Sequence, residues 1–320
     1  MSGSVTTEVV TIDDVRAAAK RIAGAVRRTP VLRAAPARDR FDFDLTMKLE
    51  CLQASGSFKA RGASNKTALL PAAEKARGLV TASGGNHGLG VAYAAANAGV
   101  PATIFLPSST PASKVEKLKA WGADTRIVGQ VWDEANAAAL DFARDKGAAY
   151  LHPFADAAVI AGQGTIALEL AEQAPELDHL IVAIGGGGLI SGVAMAARAL
   201  NPRLEVIGVE PVGAPTLHES CKAGRLVTLD RIATRAGTLA PKRSEQINLD
   251  LIRAHVAEIV LVDDDDMQQA AEALWFDFGL AVELSAAAAY AALRAGAFKP
   301  PPGAKVGILV CGAGTDGIKA

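Results

Sequence analysis

The sequence predicts an α/β protein whose twisted sheets are rich in parallel strands and covered by helices. Short apolar runs of Val, Ile and Leu alternate with Ala-rich helical stretches. Those runs are continuously hydrophobic, as strands buried on both faces are. In addition, 320 residues of which 50% are hydrophobic bury a large core and divide naturally into two lobes.

Thr11 opens the first predicted helix as its N-cap, with Asp13 and Asp14 in the first turn, where carboxylates oppose the positive helix end. Strands are predicted at Ala102-Leu106, Arg126-Val128, Leu180-Ile184, Val206-Val209, Ile259-Val262 and Val306-Val310. Helices are predicted at Gly90-Ala98, Ser113-Trp121, Trp132-Lys146, Leu189-Leu200 and Met267-Phe278. Helix and strand in turn imply sheets covered by helices. Asp263 to Asp266 follow a strand and precede a helix, so they read as N-terminal caps rather than metal ligands. The Pro-rich patch Lys299-Pro302 leads into the last strand, and there is no repeat, low-complexity tract or long linker.

The 33 Lys and Arg nearly cancel the 34 Asp and Glu, so no charge excess draws the chain to nucleic acid or to a membrane surface. A small-molecule substrate is the expectation. Cys51, Cys221 and Cys311 are scattered, odd in number and without metal-ligand spacing, which argues against a disulfide framework and for a reducing cytoplasm. The sequence starts with no basic stretch leading into an apolar one, and no window reaches the roughly 18 apolar residues of a spanning helix.

Four segments carry chemistry. In Ser55-Gly56-Ser57-Phe58-Lys59-Ala60-Arg61-Gly62, Ser57 is placed to cap a helix whose first turn holds Lys59. A positive helix end and partial burial both disfavour an ammonium there and make a neutral nucleophilic amine accessible. Taken alone, such a lysine reads as solvated surface. In Thr81-Ala82-Ser83-Gly84-Gly85-Asn86-His87-Gly88, backbone N–H groups before a helix can hold a carboxylate, or the glycines simply make a tight turn with Asn86 left-handed. Gly185-Gly186-Gly187-Gly188 follows a strand and opens a helix, a cradle for a phosphate monoester. It lacks a Walker lysine and the last glycine of the dinucleotide fingerprint. Finally, Leu309-Val310-Cys311-Gly312-Ala313-Gly314-Thr315 ends a strand in a small thiol, which reads equally as a buried structural cysteine.

In this order, the four segments resemble the fold-type II pyridoxal-phosphate (PLP) family of serine and threonine dehydratases and serine racemase, a two-lobed, tryptophan synthase beta-like architecture. The resemblance extends to Arg28-Thr29-Pro30-Val31-Leu32, His152-Pro153-Phe154, Ile160-Ala161-Gly162-Gln163-Gly164-Thr165 and Val209-Glu210-Pro211. It implies a large PLP-binding domain from residues 1–49 plus 151–320, a small mobile domain from residues 50–150 that closes on bound substrate, and a homo-oligomer, dimer or tetramer. It also implies that Lys59 holds PLP as a Schiff base and that Phe58 packs beside it. Asn86 would bond the cofactor's ring oxygen, Gly185, Gly186, Gly187 and Gly188 its phosphate, and Cys311 would face its pyridine nitrogen. Ser83, Gly84, Gly85, Asn86 and His87 form the loop for the substrate carboxylate.

Where serine racemases carry a second serine this chain has Gly84, and glycine has no proton to give. Racemisation exchanges protons on both faces of the α-carbon, whereas elimination needs one base on one face. The resemblance therefore implies a dehydratase that turns a β-hydroxy-α-amino acid (serine, threonine, 3-hydroxyaspartate or phenylserine) into a 2-oxo acid and ammonia. Racemase and β-replacement synthase are the alternatives within the family. A non-catalytic PLP or amino-acid sensor and a nicotinamide oxidoreductase are the rivals outside it. The sequence ends soon after Cys311, which favours a catabolic enzyme without a regulatory domain. The resemblance also suggests a cation held by Glu210, Ala214, Thr216 and a Leu239 carbonyl. A hydroxyl in place of the racemases' aspartate favours potassium over magnesium, and the alternative is a Glu210 that merely ends a strand.

Overall fold

The computed structural model of the protein describes residues 10–33 and 35–318. The first helix, α1 (Ile12–Ile22), begins with a full capping box: Thr11 accepts from the Asp14 amide and Asp14 reaches back to Thr11, satisfying N–H groups that have no helical partner. Strands β1 (Val31–Arg33) and β2 (Asp44–Leu49) follow, then a 3-10 turn Glu50–Leu52, α2 (Lys59–Leu69) and α3 (Ala72–Arg77). Next come β3 (Leu79–Ala82), α4 (Asn86–Ala98), β4 (Ala102–Leu106), α5 (Ala112–Ala120), β5 (Asp124–Ile127), α6 (Trp132–Lys146) and β6 (Ala149–Tyr150). The rest is α7 (Ala157–Gln173), β7 (His179–Ala183), α8 (Gly188–Leu200), β8 (Glu205–Pro211), α9 (Thr216–Ala223), a 3-10 turn Gly237–Leu239, α10 (Gln246–His255), β9 (Glu258–Val262), α11 (Asp264–Phe278), α12 (Leu284–Arg294) and β10 (Lys305–Val310).

The strands form a six-stranded sheet in the order β1-β2-β10-β7-β8-β9 and a four-stranded sheet in the order β5-β4-β3-β6. Every pairing is parallel except β1 with β2. The smaller sheet comes wholly from residues 79–150, whereas the larger takes strands from both sides of that segment. Each sheet packs its own apolar cluster.

All six predicted strands and five predicted helices are present, with ends shifted by up to a turn. Four strands escaped the apolar-run reading. β2 is Asp-Leu-Thr-Met-Lys-Leu, a half-polar pattern, yet five of its six residues are buried, while β1, β3 and β6 are only 3, 4 and 2 residues long. Asp263 caps α11, accepting from the amides of Asp265 and Asp266.

One local expectation is corrected. Ser57 does not cap α2: the residue at that position is Phe58 in a helical conformation, and the buried Ser57 hydroxyl has no hydrogen-bond partner. The Ser57 backbone pairs with Gly312 instead in an isolated antiparallel bridge, so a backbone contact just beyond β10, rather than a side-chain cap, precedes the start of α2. Helix α2 packs on both α4 and α7. At the α7 crossing a Cβ on Gly162 would lie 2.7 Å from the Gly62 Cα, so the two helices meet backbone to backbone, which only glycine permits.

Candidate active site

The C-terminal ends of both sheets and the start of α2 open onto one cavity of about 870 Å³, and Lys59, Asn86, His152, Gly185, Glu283 and Cys311 are among its walls. Lys59 is the first residue of α2 and its Nζ donates to the Pro153 carbonyl at 2.5 Å. Burial pulls its pKa down to about 8, because a charged ammonium is poorly solvated there. The neutral amine is therefore far more accessible than for an ordinary lysine, and becomes the major form above about pH 8.

The four glycines from Gly185 to Gly188 run from just beyond β7 into α8. Gly187 has φ +95°, and a Cβ on Gly186 would lie 2.1 Å from the Phe154 ring, so neither position admits a side chain. The Asn248 amide and the Ser244 hydroxyl fix the loop through the Gly186 carbonyl at 3.1 and 2.9 Å. Amides of α8's first turn, which have no acceptor inside the helix, stand at the cavity wall. This is a cradle for a small anion.

Opposite lies the second amide array. α4 starts at Asn86, and among the described residues the amides of Asn86, His87 and Gly88 have no backbone acceptor. Ser83 Oγ accepts from the Gly85 amide at 3.2 Å, which shapes the turn. Among the described residues none other than glycine has positive φ, so Asn86 is not left-handed as the turn reading supposed. The His87 ring is committed to the Leu151 carbonyl at 2.9 Å. Burial first, and then Lys59, hold it neutral with a pKa of about 3. Its backbone amide, not its ring, is what it can offer a carboxylate.

Gly84 has a partner in space. A Cβ there would sit 2.8 Å from Thr110 Cγ2 and 3.1 Å from Thr110 Oγ1. Gly84→Ser is therefore expected to cost about 1–3 kcal/mol through overpacking, and Thr110→Ala in the same chain to recover most of it. Urea unfolding of both variants checks this; a Gly84→Ser protein as stable as the parent would refute it.

Cys311 closes the far wall. Burial, and then Glu283, push its thiol well above the ordinary value, so it is a neutral group. Glu283 was not found from the sequence. Asn86 Nδ2 donates to its Oε1 at 2.7 Å, and burial lifts its pKa to about 7. The signal was a lone acid in the apolar stretch Leu280-Ala281-Val282-Glu283-Leu284. Also missed was Trp132, whose Nε1 donates to the Ala82 carbonyl at 2.8 Å beside the carboxylate loop; His152 and Phe154, whose rings meet edge to face at 4.7 Å, were noted as part of the resemblance but given no role.

Of the residues suggested for a cation, Leu239 stands in the cavity wall against Gly185, whereas Glu210, Ala214 and Thr216 are not part of that wall. Glu210 is the last residue but one of β8 at 0% exposure, and its two oxygens accept from the amides of Leu217 and His218 at 2.8 and 2.7 Å. Thr216 Oγ1 donates to the Pro241 carbonyl at 2.7 Å, the Ala214 carbonyl accepts from the Thr216 amide, and Leu239 ends the second 3-10 turn. Burial raises Glu210 to about 8. Among the described residues no basic side chain pairs with it, and no three His, Cys, Asp or Glu gather as a metal cluster.

Comparison with known proteins gives consistent results. A family model described as pyridoxal-phosphate dependent enzyme matches residues 22–312. The chain is 39% identical over 262 residues to the L-threonine ammonia-lyase of Thermotoga maritima, covering 82% of this chain and 65% of that protein, so it spans less than two thirds of that relative. It is 36% identical over 318 residues to the phenylserine dehydratase of Ralstonia pickettii, covering 97% of this chain and 95% of the relative. The solved structure of maize serine racemase superposes with a TM-score of 0.89 at 37% identity, covering 95% of this chain and 93% of that one. Among the described residues no helix is long and apolar enough to cross a membrane.

Proposed function

The chain belongs to the pyridoxal-phosphate dependent enzymes, and from that premise we propose that it is an ammonia-lyase converting a β-hydroxy-α-amino acid to a 2-oxo acid and ammonia. The observation that carries the reading is a buried amine, Lys59, in one cavity with the four-glycine amide loop and the neutral Cys311 thiol. These fit a pyridoxal phosphate: an amine for its aldehyde, a side-chain-free cradle for its phosphate and a neutral partner for its ring. Lys59, Phe58, Asn86, Gly185, Gly186, Gly187, Gly188 and Cys311 would hold it. When bound, the cofactor supplies an electron sink that stabilises negative charge at the α-carbon.

The free amides at the start of α4, with Ser83, Gly84 and Gly85 before them, receive the substrate carboxylate, since they combine unpaired donors with the positive helix end. Lys59 Nζ, its proton affinity lowered by burial, would take the α-proton and pass it to the departing hydroxyl as the C–O bond breaks, so that water leaves, and hydrolysis of the resulting enamine would give the 2-oxo acid and ammonia. A second acid on the opposite face is missing at Gly84, where Thr110 fills the space. That favours elimination over racemisation.

The proposal extends to a monovalent cation at Glu210, Ala214, Thr216 and Leu239. A fully buried carboxylate without a cationic partner is costly, and a cation there would replace the proton that Glu210 otherwise keeps up to about pH 8. The test is 2-oxo-acid formation from serine, threonine, 3-hydroxyaspartate and phenylserine, with potassium chloride or choline chloride at equal ionic strength. Turnover of at least one substrate is expected. Potassium should raise both rate and melting temperature, more at pH 8.5 than at pH 6.5, because the proton competes with the cation. No oxo acid from any substrate by cofactor-loaded protein would sink the ammonia-lyase reading; potassium and choline acting alike would sink the cation.

A further inference from the structure

His152 lies just after β6, on the same turn as the Pro153 carbonyl that receives Lys59. Its Nδ1 accepts the amides of Phe154 and Ala155 at 3.3 and 2.8 Å. An imidazolium has no lone pair to accept two N–H groups, so this ring is neutral and its single proton is on Nε2. Nε2 has no hydrogen-bond partner among the described residues, and His152 is part of the cavity wall. The two amides and the edge-to-face Phe154 ring hold the imidazole in this orientation.

His87 is held in the opposite sense. Its Nε2 meets the carbonyl of Leu151, the residue bonded to His152. A carbonyl only accepts, so the proton is on Nε2 and the bare Nδ1 is left without a partner among the described residues. Both rings stand within reach of the Lys59 charge. One side of the cavity thus pairs a fixed donor with a fixed acceptor, beside the amine. Of the groups on a β-hydroxy-α-amino acid, the carboxylate only accepts, whereas the hydroxyl both donates and accepts.

We propose that His152 and His87 together recognise the substrate's β-hydroxyl, His152 Nε2–H donating to its oxygen and His87 Nδ1 accepting its hydrogen. The assignment rests on the ammonia-lyase reading and adds the pair that selects the leaving group. Neither ring gives up a proton: loss of the Nε2 proton from neutral His152 would leave an imidazolate. What His152 supplies is a hydrogen bond that strengthens as the C–O bond breaks and charge gathers on oxygen.

The test compares a β-hydroxy substrate with 2-amino-3-chloropropanoate, whose chloride leaves without such a bond, on wild-type, His152→Phe and His152→Gln holoenzyme. His152→Phe is expected to lower kcat/KM about 10- to 100-fold for the hydroxy substrate and by a much smaller factor for the chloro substrate. His152→Gln, whose amide N–H can stand in for Nε2–H, should restore most of the loss. Equal losses on both substrates, or no loss on either, overturn the proposal. Nitrogen-15 spectra of histidine-labelled wild-type holoenzyme provide a readout independent of turnover. The His152 ring, identified by its absence from His152→Gln, should show one protonated and one bare nitrogen at neutral pH, and a doubly protonated ring overturns the assignment. Wild-type protein that turns over neither substrate sinks the ammonia-lyase reading and the hydroxyl pair with it. Wild-type protein that turns over both while ignoring His152→Phe sinks the pair alone.

Discussion

Replacing Lys59 with Ala removes the visible absorbance of the bound cofactor and lowers 2-oxo-acid formation by at least about 10³-fold, more than the loss of an ordinary general base because the same amine also anchors the cofactor. Lys59 Nζ is buried at the floor of the cavity, beside Pro153, with its pKa lowered by burial to about 8. Lys242 and Arg243 also line the cavity, but both are exposed at its rim, and a guanidinium in place of the buried amine could not act as a base. Lys59→Arg is therefore as inactive as Lys59→Ala. Absorbance spectra and an oxo-acid assay on the three proteins check this. Full turnover by Lys59→Ala would remove Lys59 from the chemistry altogether.

Arg61→Met is expected to cost about 3–5 kcal/mol of stability, the usual consequence of breaking a buried ion pair from one side. Arg61 is 1% exposed, yet its guanidinium holds both Glu50 oxygens at 2.7 and 2.8 Å and Glu169 at 2.7 Å. Lys48, at 0% exposure, closes the network on Glu169 at 2.5 Å. Two cations and two carboxylates cancel, so deleting Arg61 leaves a buried excess of negative charge. The network ties β2, α2 and α7 together two residues from Lys59, so the loss falls on the helix that presents the amine. Urea unfolding measures it, and a change under about 1 kcal/mol would show that the pairs are individually dispensable.

The pH dependence has a definite sign. Burial alone would raise Glu169, but hydrogen bonds and charge from Arg61 and Lys48 outweigh it and hold the carboxyl below its ordinary value. A depressed folded pKa contributes stability that is present above the unfolded value and lost as pH falls through the folded one. Acid should therefore weaken wild-type protein below about pH 4.5 more steeply than it weakens Arg61→Met.

Lys59, the four-glycine loop, the amides before α4 and Cys311 could be singled out in the sequence, although Lys59 alone reads as solvated surface and Cys311 as a structural thiol; the order of the four segments, and the family they resemble, marked them as one candidate site. The parallel sheets were legible because strands buried on both faces must be continuously apolar. Strand β2 was not, since Lys48 interrupts its pattern and is tolerated through the Thr29 carbonyl and through Glu169 and Gln173, 121 and 125 residues away. Glu283 meets Asn86 across 197 residues, Lys59 meets Pro153 across 94, and Phe154 covers Gly186 from another element. No spacing in the chain encodes these meetings, because they arise only when two sheets and the helix between them close around one cavity. The sequence by itself determined which groups are chemically able to act. The tertiary structure decided which of them are dry, which are neutral and which nitrogen of each imidazole is already taken by the backbone, because burial and hydrogen-bond geometry are properties of the packed chain and not of the order of its residues.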